Sequence, residues 1–130
     1  MIEGAHTIIF ASDADRARTF FRDVLGLANI DAGDGWLIFR LPPGELAIHP
    51  GPGGGHDSAQ HELFLMCHDV RATVAELQQK GVEFLAPITD AGYGLMTRFK
   101  VPGAGEIGLY EPRHPSPLPE FRQQTRSTTD

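Results

Sequence analysis

Two histidines stand at matching points of a repeated sequence, and a matched pair of imidazoles is one way to build a metal or polar ligand site. His6-Thr7-Ile8-Ile9-Phe10-Ala11-Ser12-Asp13 opens one segment, and His61-Glu62-Leu63-Phe64-Leu65-Met66-Cys67-His68-Asp69 opens another. The offset is 55 from His6 to His61, 56 from Asp13 to Asp69, 55 from Gly26 to Gly81 and 59 from Pro43-Gly44 to Pro102-Gly103. A repeat of this length means one fold unit used twice. If the units pair face to face, His6 and His61 converge on a shared site at their junction. Such a site would hold a metal ion or a small ligand. A single histidine at a strand start is ordinarily a hydrogen-bonded rim residue, so the matched placement is what singles these two out.

The elements that must position them follow from the residue pattern. Ala5 to Ala11 is short, β-branched and aromatic, which predicts a strand. Ser12 or Asp13 then caps a helix running to about Leu25, with Ala14, Ala17, Phe21, Val24 and Leu25 at helical spacing and Gly26 as the stop. Leu27 to Asp31, Trp36 to Leu41 and Glu45 to His49 predict three further strands, separated by the Gly33-Asp34-Gly35 and Pro42-Pro43-Gly44 turns. The second unit repeats the plan: a strand over His61 to Cys67, a helix from Asp69 through Lys80 closed by Gly81, and strands over Glu83 to Ile88, Leu95 to Val101 and Glu106 to Glu111. The reading is therefore α+β, two βαβββ units whose mixed sheets curve around a cavity, as a single domain over 1–112. Unit one spans 5–49, the Gly-Pro-rich stretch 50–60 is the linker, and unit two spans 61–112. Residues 113–130 hold little that is apolar besides Leu118 and Phe121, so a flexible tail or an arm is expected.

Composition narrows the function classes. Each unit alone is too small to bury a core, so the two must share one within the chain or across a dimer. The net charge of −6 argues against nucleic acid as a partner. No stretch reaches the ~20 continuous apolar residues of a membrane span. Met1-Ile2-Glu3-Gly4 does not read as a signal peptide, and a single cysteine fits a reducing compartment, so a cytoplasmic location is expected. Cys67 lies at an apolar strand end and is expected to be an inert packing residue.

Three motifs then carry a resemblance: Ala14-Asp15-Arg16-Ala17-Arg18-Thr19-Phe20-Phe21-Arg22-Asp23-Val24-Leu25-Gly26-Leu27, Asp69-Val70-Arg71-Ala72-Thr73-Val74-Ala75-Glu76-Leu77 with Lys80-Gly81-Val82, and Gly108-Leu109-Tyr110-Glu111-Pro112. Over residues 5 to 112 the chain resembles the vicinal-oxygen-chelate superfamily, which includes glyoxalase I, bleomycin-resistance proteins, fosfomycin-resistance transferases and type I extradiol dioxygenases. In metal-dependent members the resemblance implies ligands from the first strand of each unit, matched here by His6 and His61, and from the last strand. The last-strand glutamate is replaced by Gly108, and its counterpart in unit one by Ala47. The metal site therefore reads as incomplete, and no cofactor is expected, with a divalent metal as the alternative. Gly108 is expected to leave room for a carboxylate, so that Gly108→Glu would restore a ligand.

Neighbouring carboxylates and imidazoles do not readily substitute. Residues two apart on a strand share a face but sit roughly 6.5 Å apart, against a metal–nitrogen bond of about 2.0–2.1 Å. Glu45, His49 and Glu106 share faces with Ala47 and Gly108; Glu111 points the other way. The expected ligand-binding wall comprises His6, Ile8 and Phe10, then His61, Leu63 and Leu65, with Trp36, His49, Tyr93, Phe99 and Tyr110 closing it or stacking on a planar ligand. Arg40 and Arg98 are expected at the surface, and His56, His68 and His114 are expected to be solvated. The function expected is a glyoxalase/bleomycin-resistance/dioxygenase-type protein that binds a small molecule, as a homodimer. The alternative is a divalent-metal-dependent lyase, transferase or dioxygenase through His6 and His61, with Glu45 or Glu106 moving protons. Whether the chain catalyses a reaction is left open.

Overall fold

The computed structural model describes residues 6–9, 11–45, 47 and 61–121. Phe10, His49, His56, the 50–60 linker and the last nine residues lie outside them. The chain divides into two compact bodies, Met1–Arg40 with Lys100–Glu106 and Leu41–Phe99 with Ile107–Asp130. The fold class is α+β, as expected.

In the first body, helix α1 (Ala14–Asp23) starts where the Asp13 carboxylate accepts the Arg16 amide at 3.1 Å. The Asp13 amide and the Ser12 hydroxyl both donate to the Gly103 carbonyl, at 2.9 and 3.0 Å. Gly103 has φ of +82°, and a Cβ there would meet the Asp13 carbonyl oxygen at 2.6 Å, so the turn admits no side chain. Strands β1 (Asn29–Asp31) and β2 (Leu37–Phe39) pair antiparallel, Ile30 opposite Ile38. Asp31 closes the turn by accepting from the Gly33 and Gly35 amides. Phe21 of α1 packs on Phe39, centroids 5.8 Å apart.

The second body holds β3 (Phe64–Met66), α2 (Val70–Gln79), β4 (Thr89–Asp90), β5 (Gly94–Lys100, ending in the first body) and β6 (Glu106–Pro112, beginning there). The strand order is β3-β6-β5-β4. The sheet is mixed: β3 runs parallel to β6 with Phe64 beside Gly108, and β4 antiparallel to β5. One face carries α2. There Val70 and Phe99 are fully buried, with Leu77, Ile107 and Leu109 nearly so. Asp69 caps α2 by accepting from Ala72, and the buried Glu111 carboxylate accepts the Val70 amide at 2.9 Å. Arg113 Nε donates to the other Glu111 oxygen at 2.6 Å, so the buried charge is paired.

Several expected strands are shorter or missing. Residues 6–9 and 11 join no ladder, because the described sheet of the first body consists of β1 and β2 alone; strand geometry holds where backbone amides find partners. Glu45 and Ala47 are likewise outside any strand. Over 83–88 the pairing reduces to a bridge from Phe84 to Phe99 and the Leu85 amide on the Arg98 carbonyl. Pro87 lacks an amide to continue it. Residues 113–121, for which a flexible tail or an arm is expected, form an arm ending in a 3-10 turn, Pro119–Phe121. Phe121 is buried, His68 stacks on it at 4.4 Å, and His68 Nε2 meets the Glu120 carbonyl at 2.7 Å. His68 is thus exposed, as expected, and also holds the arm.

Glu111→Ala should lower stability by about 3 kcal/mol in urea unfolding, since it leaves Val70 N–H and the Arg113 charge without their partner. A loss under about 0.5 kcal/mol, the range of neutral surface changes, would show that α2 is not anchored through this carboxylate.

Candidate functional site

The sheet of the second body has a face without α2, and strand alternation assigns Phe64 and Met66 of β3, Gly108 and Tyr110 of β6, and Gly94, Met96 and Arg98 of β5 to it. Two glycines shape it. A Cβ on Gly108 would stand 2.1 Å from Phe64 Cδ1, so the ring lies directly over the glycine. A Cβ on Gly94 would stand 2.2 Å from Tyr110 Cε2, so that ring lies over its neighbour strand too. Beyond Gly108, the Arg98 guanidinium sits 5.6 Å from the Phe64 centroid, within cation–π range. Phe64 and Tyr110 meet edge-on at 6.0 Å, and Tyr110 and Tyr93 at 6.2 Å. The surface is half-buried, aromatic and cationic at one end.

At the Tyr110 end the arm closes on Glu45. Ser116 Oγ donates to Glu45 Oε2 at 2.7 Å, and His114 Nε2 lies 3.4 Å from Oε1. The His114 ring stacks on Tyr110 at 5.9 Å. Burial pushes the Tyr110 phenol up to about 12, with the Glu45 and Tyr93 charges adding to it. Its hydroxyl donates to the Tyr93 carbonyl at 3.3 Å. Burial likewise pushes the Cys67 thiol up to about 11, which keeps it protonated and unreactive at neutral pH.

The residues expected at the site are distributed unevenly. Tyr110 and Tyr93 lie on the aromatic surface. Phe99 does not: it is 0 % exposed on the α2 face, against Phe84. Leu65 sits beside the buried Leu109, and alternation turns it and Leu63 away from Phe64. His61 is exposed, three residues ahead of β3, in the second body; His6, Ile8 and Glu106 are exposed residues of the first. Trp36, also in the first body, is 62 % exposed with the Arg18 guanidinium 4.4 Å from its ring. His114 and Glu45 are brought together, although His114 was expected in solvent. Phe64, Met96 and Ser116 were missed as site residues, and Arg98, expected at the surface, borders this face. The run Leu63-Phe64-Leu65-Met66 is apolar throughout, so its two faces could not be told apart by alternation.

A metal of the kind the resemblance implies does not fit these residues. The strand position that would carry its carboxylate is covered by the Phe64 ring, and Glu45 is taken by Ser116 and His114. Among the described residues no group of three or more His, Cys, Asp and Glu side chains is placed to hold an ion. The expectation that Gly108 leaves room for a glutamate is corrected: its open side is occupied by the ring.

The Glyoxalase/Bleomycin resistance protein/Dioxygenase superfamily profile matches residues 5–113. No curated protein matches the chain. Among solved structures the chain is similar to TnmS3, an antibiotic binding protein from Streptomyces sp. CB03234, at 23 % identity and a TM-score of 0.51, covering 86 % of this chain and 99 % of that one. It is similar to a superfamily member from Sphaerobacter thermophilus at 20 % identity and 0.53, covering 84 % and 97 %. An integron cassette protein from the V. cholerae mobile metagenome gives 14 % and 0.53, covering 85 % and 97 %. At these identities the likeness is one of fold.

Gly108→Ala should destabilise by about 1–3 kcal/mol, the cost of overpacking a filled position, and most of that loss should vanish in a Phe64→Ala background; additive losses in the double-variant cycle would separate the two residues. In a spectrophotometric titration, one of the two tyrosines should ionise near 12. Because folding raises that pKa, its contribution to stability is present below the unfolded value of about 10 and is lost as pH climbs towards 12. Both tyrosines ionising together near pH 10 would contradict the burial assigned to Tyr110.

Proposed function

The chain belongs to the Glyoxalase/Bleomycin resistance protein/Dioxygenase superfamily, and on that premise we propose that it binds a small planar organic molecule on the aromatic face of the β3-β6-β5-β4 sheet. The observation that carries this reading is the Phe64 ring resting on Gly108, which puts a stacking surface where a ligating carboxylate would stand. Phe64 and Tyr110 offer edges and faces for an aromatic ligand. Met96 is an adaptable apolar neighbour. Arg98 supplies positive charge for a ligand's anionic edge. Trp36, with Arg18 against it, is a second stacking surface, on the first body. The likeness to TnmS3, an antibiotic binding protein, supports a small-molecule ligand. The protein works as a homodimer in the cytoplasm, and its ligand site uses no metal ion.

A melting-shift screen of planar aromatic compounds, carboxylated and not, tests this. Compounds that stabilise the parent should bind about tenfold more weakly to Phe64→Leu, which keeps an apolar side chain and loses the π face. Elemental analysis of the purified protein should find well under one equivalent of divalent metal. Stoichiometric metal lost on changing His6 or His61 to alanine, with no aromatic ligand found, would replace this reading with a metal-dependent lyase, transferase or dioxygenase.

A further inference from the structure

The arm seats the His114 ring between Glu45 and Tyr110. His114 Nδ1 faces the Pro115 carbonyl at 2.8 Å, where it donates, since a carbonyl only accepts. His114 Nε2 lies 3.4 Å from Glu45 Oε1, an ion-pair distance for a protonated ring. A ring with a proton on each nitrogen would present an N–H to both acceptors. The same ring lies 5.9 Å from the Tyr110 ring and 26° from parallel to it, a stacked pair. The Glu45 side chain is 17 % exposed, so its charge is shielded from water, and Ser116 fixes its second oxygen at 2.7 Å. The Leu118 amide donates to Ser116 Oγ at 3.1 Å, which holds that hydroxyl in place.

We propose that Glu45, Tyr110 and Ser116 form a binding site for a flat organic cation, an amidinium or imidazolium group, and that His114 is its built-in occupant. A half-buried carboxylate with one oxygen fixed by a hydroxyl and the other beside a ring nitrogen, next to an aromatic face, is what such a group requires. A ligand bearing that group would have to displace His114, so the arm acts as an internal competitor. The site is independent of whether the Phe64 face takes a ligand.

The test is rescue of the full-length His114→Ala variant by free imidazole at about pH 5.5, a unit below the ordinary imidazole value, with chloride matched throughout. Pyrazole, the same size but neutral there, is the control. Imidazolium should raise the melting temperature of His114→Ala by several degrees while pyrazole does not, and neither should stabilise the parent, whose site is filled. The gain should disappear in His114→Ala/Glu45→Gln. If His114→Ala does not fold unaided, recovery of folded protein by imidazolium but not pyrazole is the same result. Equal effects of the two compounds, no effect of either, or an undiminished gain without the Glu45 charge would each overturn the proposal.

Discussion

The ring of Phe64 rests on the bare α-carbon of Gly108, and the open face of the second body's sheet takes its character from that contact. Phe64 and Gly108 are direct neighbours in the parallel β3–β6 pair, and Arg98 comes from the next strand over. With no side chain on the middle strand, the ring crosses it and brings its π face to the guanidinium. Tyr110 repeats the arrangement over Gly94. Two glycines thus let two aromatic rings, set edge-on to each other, reach over the neighbouring strands.

Rings packed against bare backbone need a sheet that does not shift beneath them, and the opposite face provides it. Phe99, Ile107 and Leu109 are buried there with Val70 and Leu77 of α2. The helix is tied to β6 through Glu111, one residue after Tyr110, whose carboxylate takes the first helical amide. One strand therefore alternates between a core-side anchor and a surface ring. The acid in the Leu-Tyr-Glu-Pro sequence serves the helix, and the tyrosine before it serves the open face.

Much of this was legible in the sequence. Asp13 and Asp69 read as helix caps and cap both helices, and Gly26 and Gly81 both have positive φ after them, at +67° and +87°. The family followed from the same repeat. What was not legible is which way a wholly apolar strand faces: Leu63 and Leu65 are expected on the open face, whereas Phe64 lies there, over Gly108. Phe99 was misread because an aromatic residue on a strand looks the same whether it stacks on a ligand or fills a core. The arm was hidden for another reason. His-Pro-Ser-Pro has neither periodicity nor hydrophobicity, and its placement comes from Glu45, 71 residues away from Ser116. Glycine at position 108 showed that a carboxylate was missing but not that a ring had taken its space.

The most direct test of that replacement is the proton NMR spectrum of the α-carbon of Gly108. A phenyl ring stacked on a glycine places its α-protons in the ring-current shielding cone. At least one Gly108 α-proton should resonate well upfield of the ordinary glycine range, show nuclear Overhauser contacts to the Phe64 ring, and return to that range in Phe64→Leu. Ordinary shifts for both protons and no contact to the ring would mean that Phe64 lies elsewhere, that the position beside it is open, and that the face is not the stacking surface described.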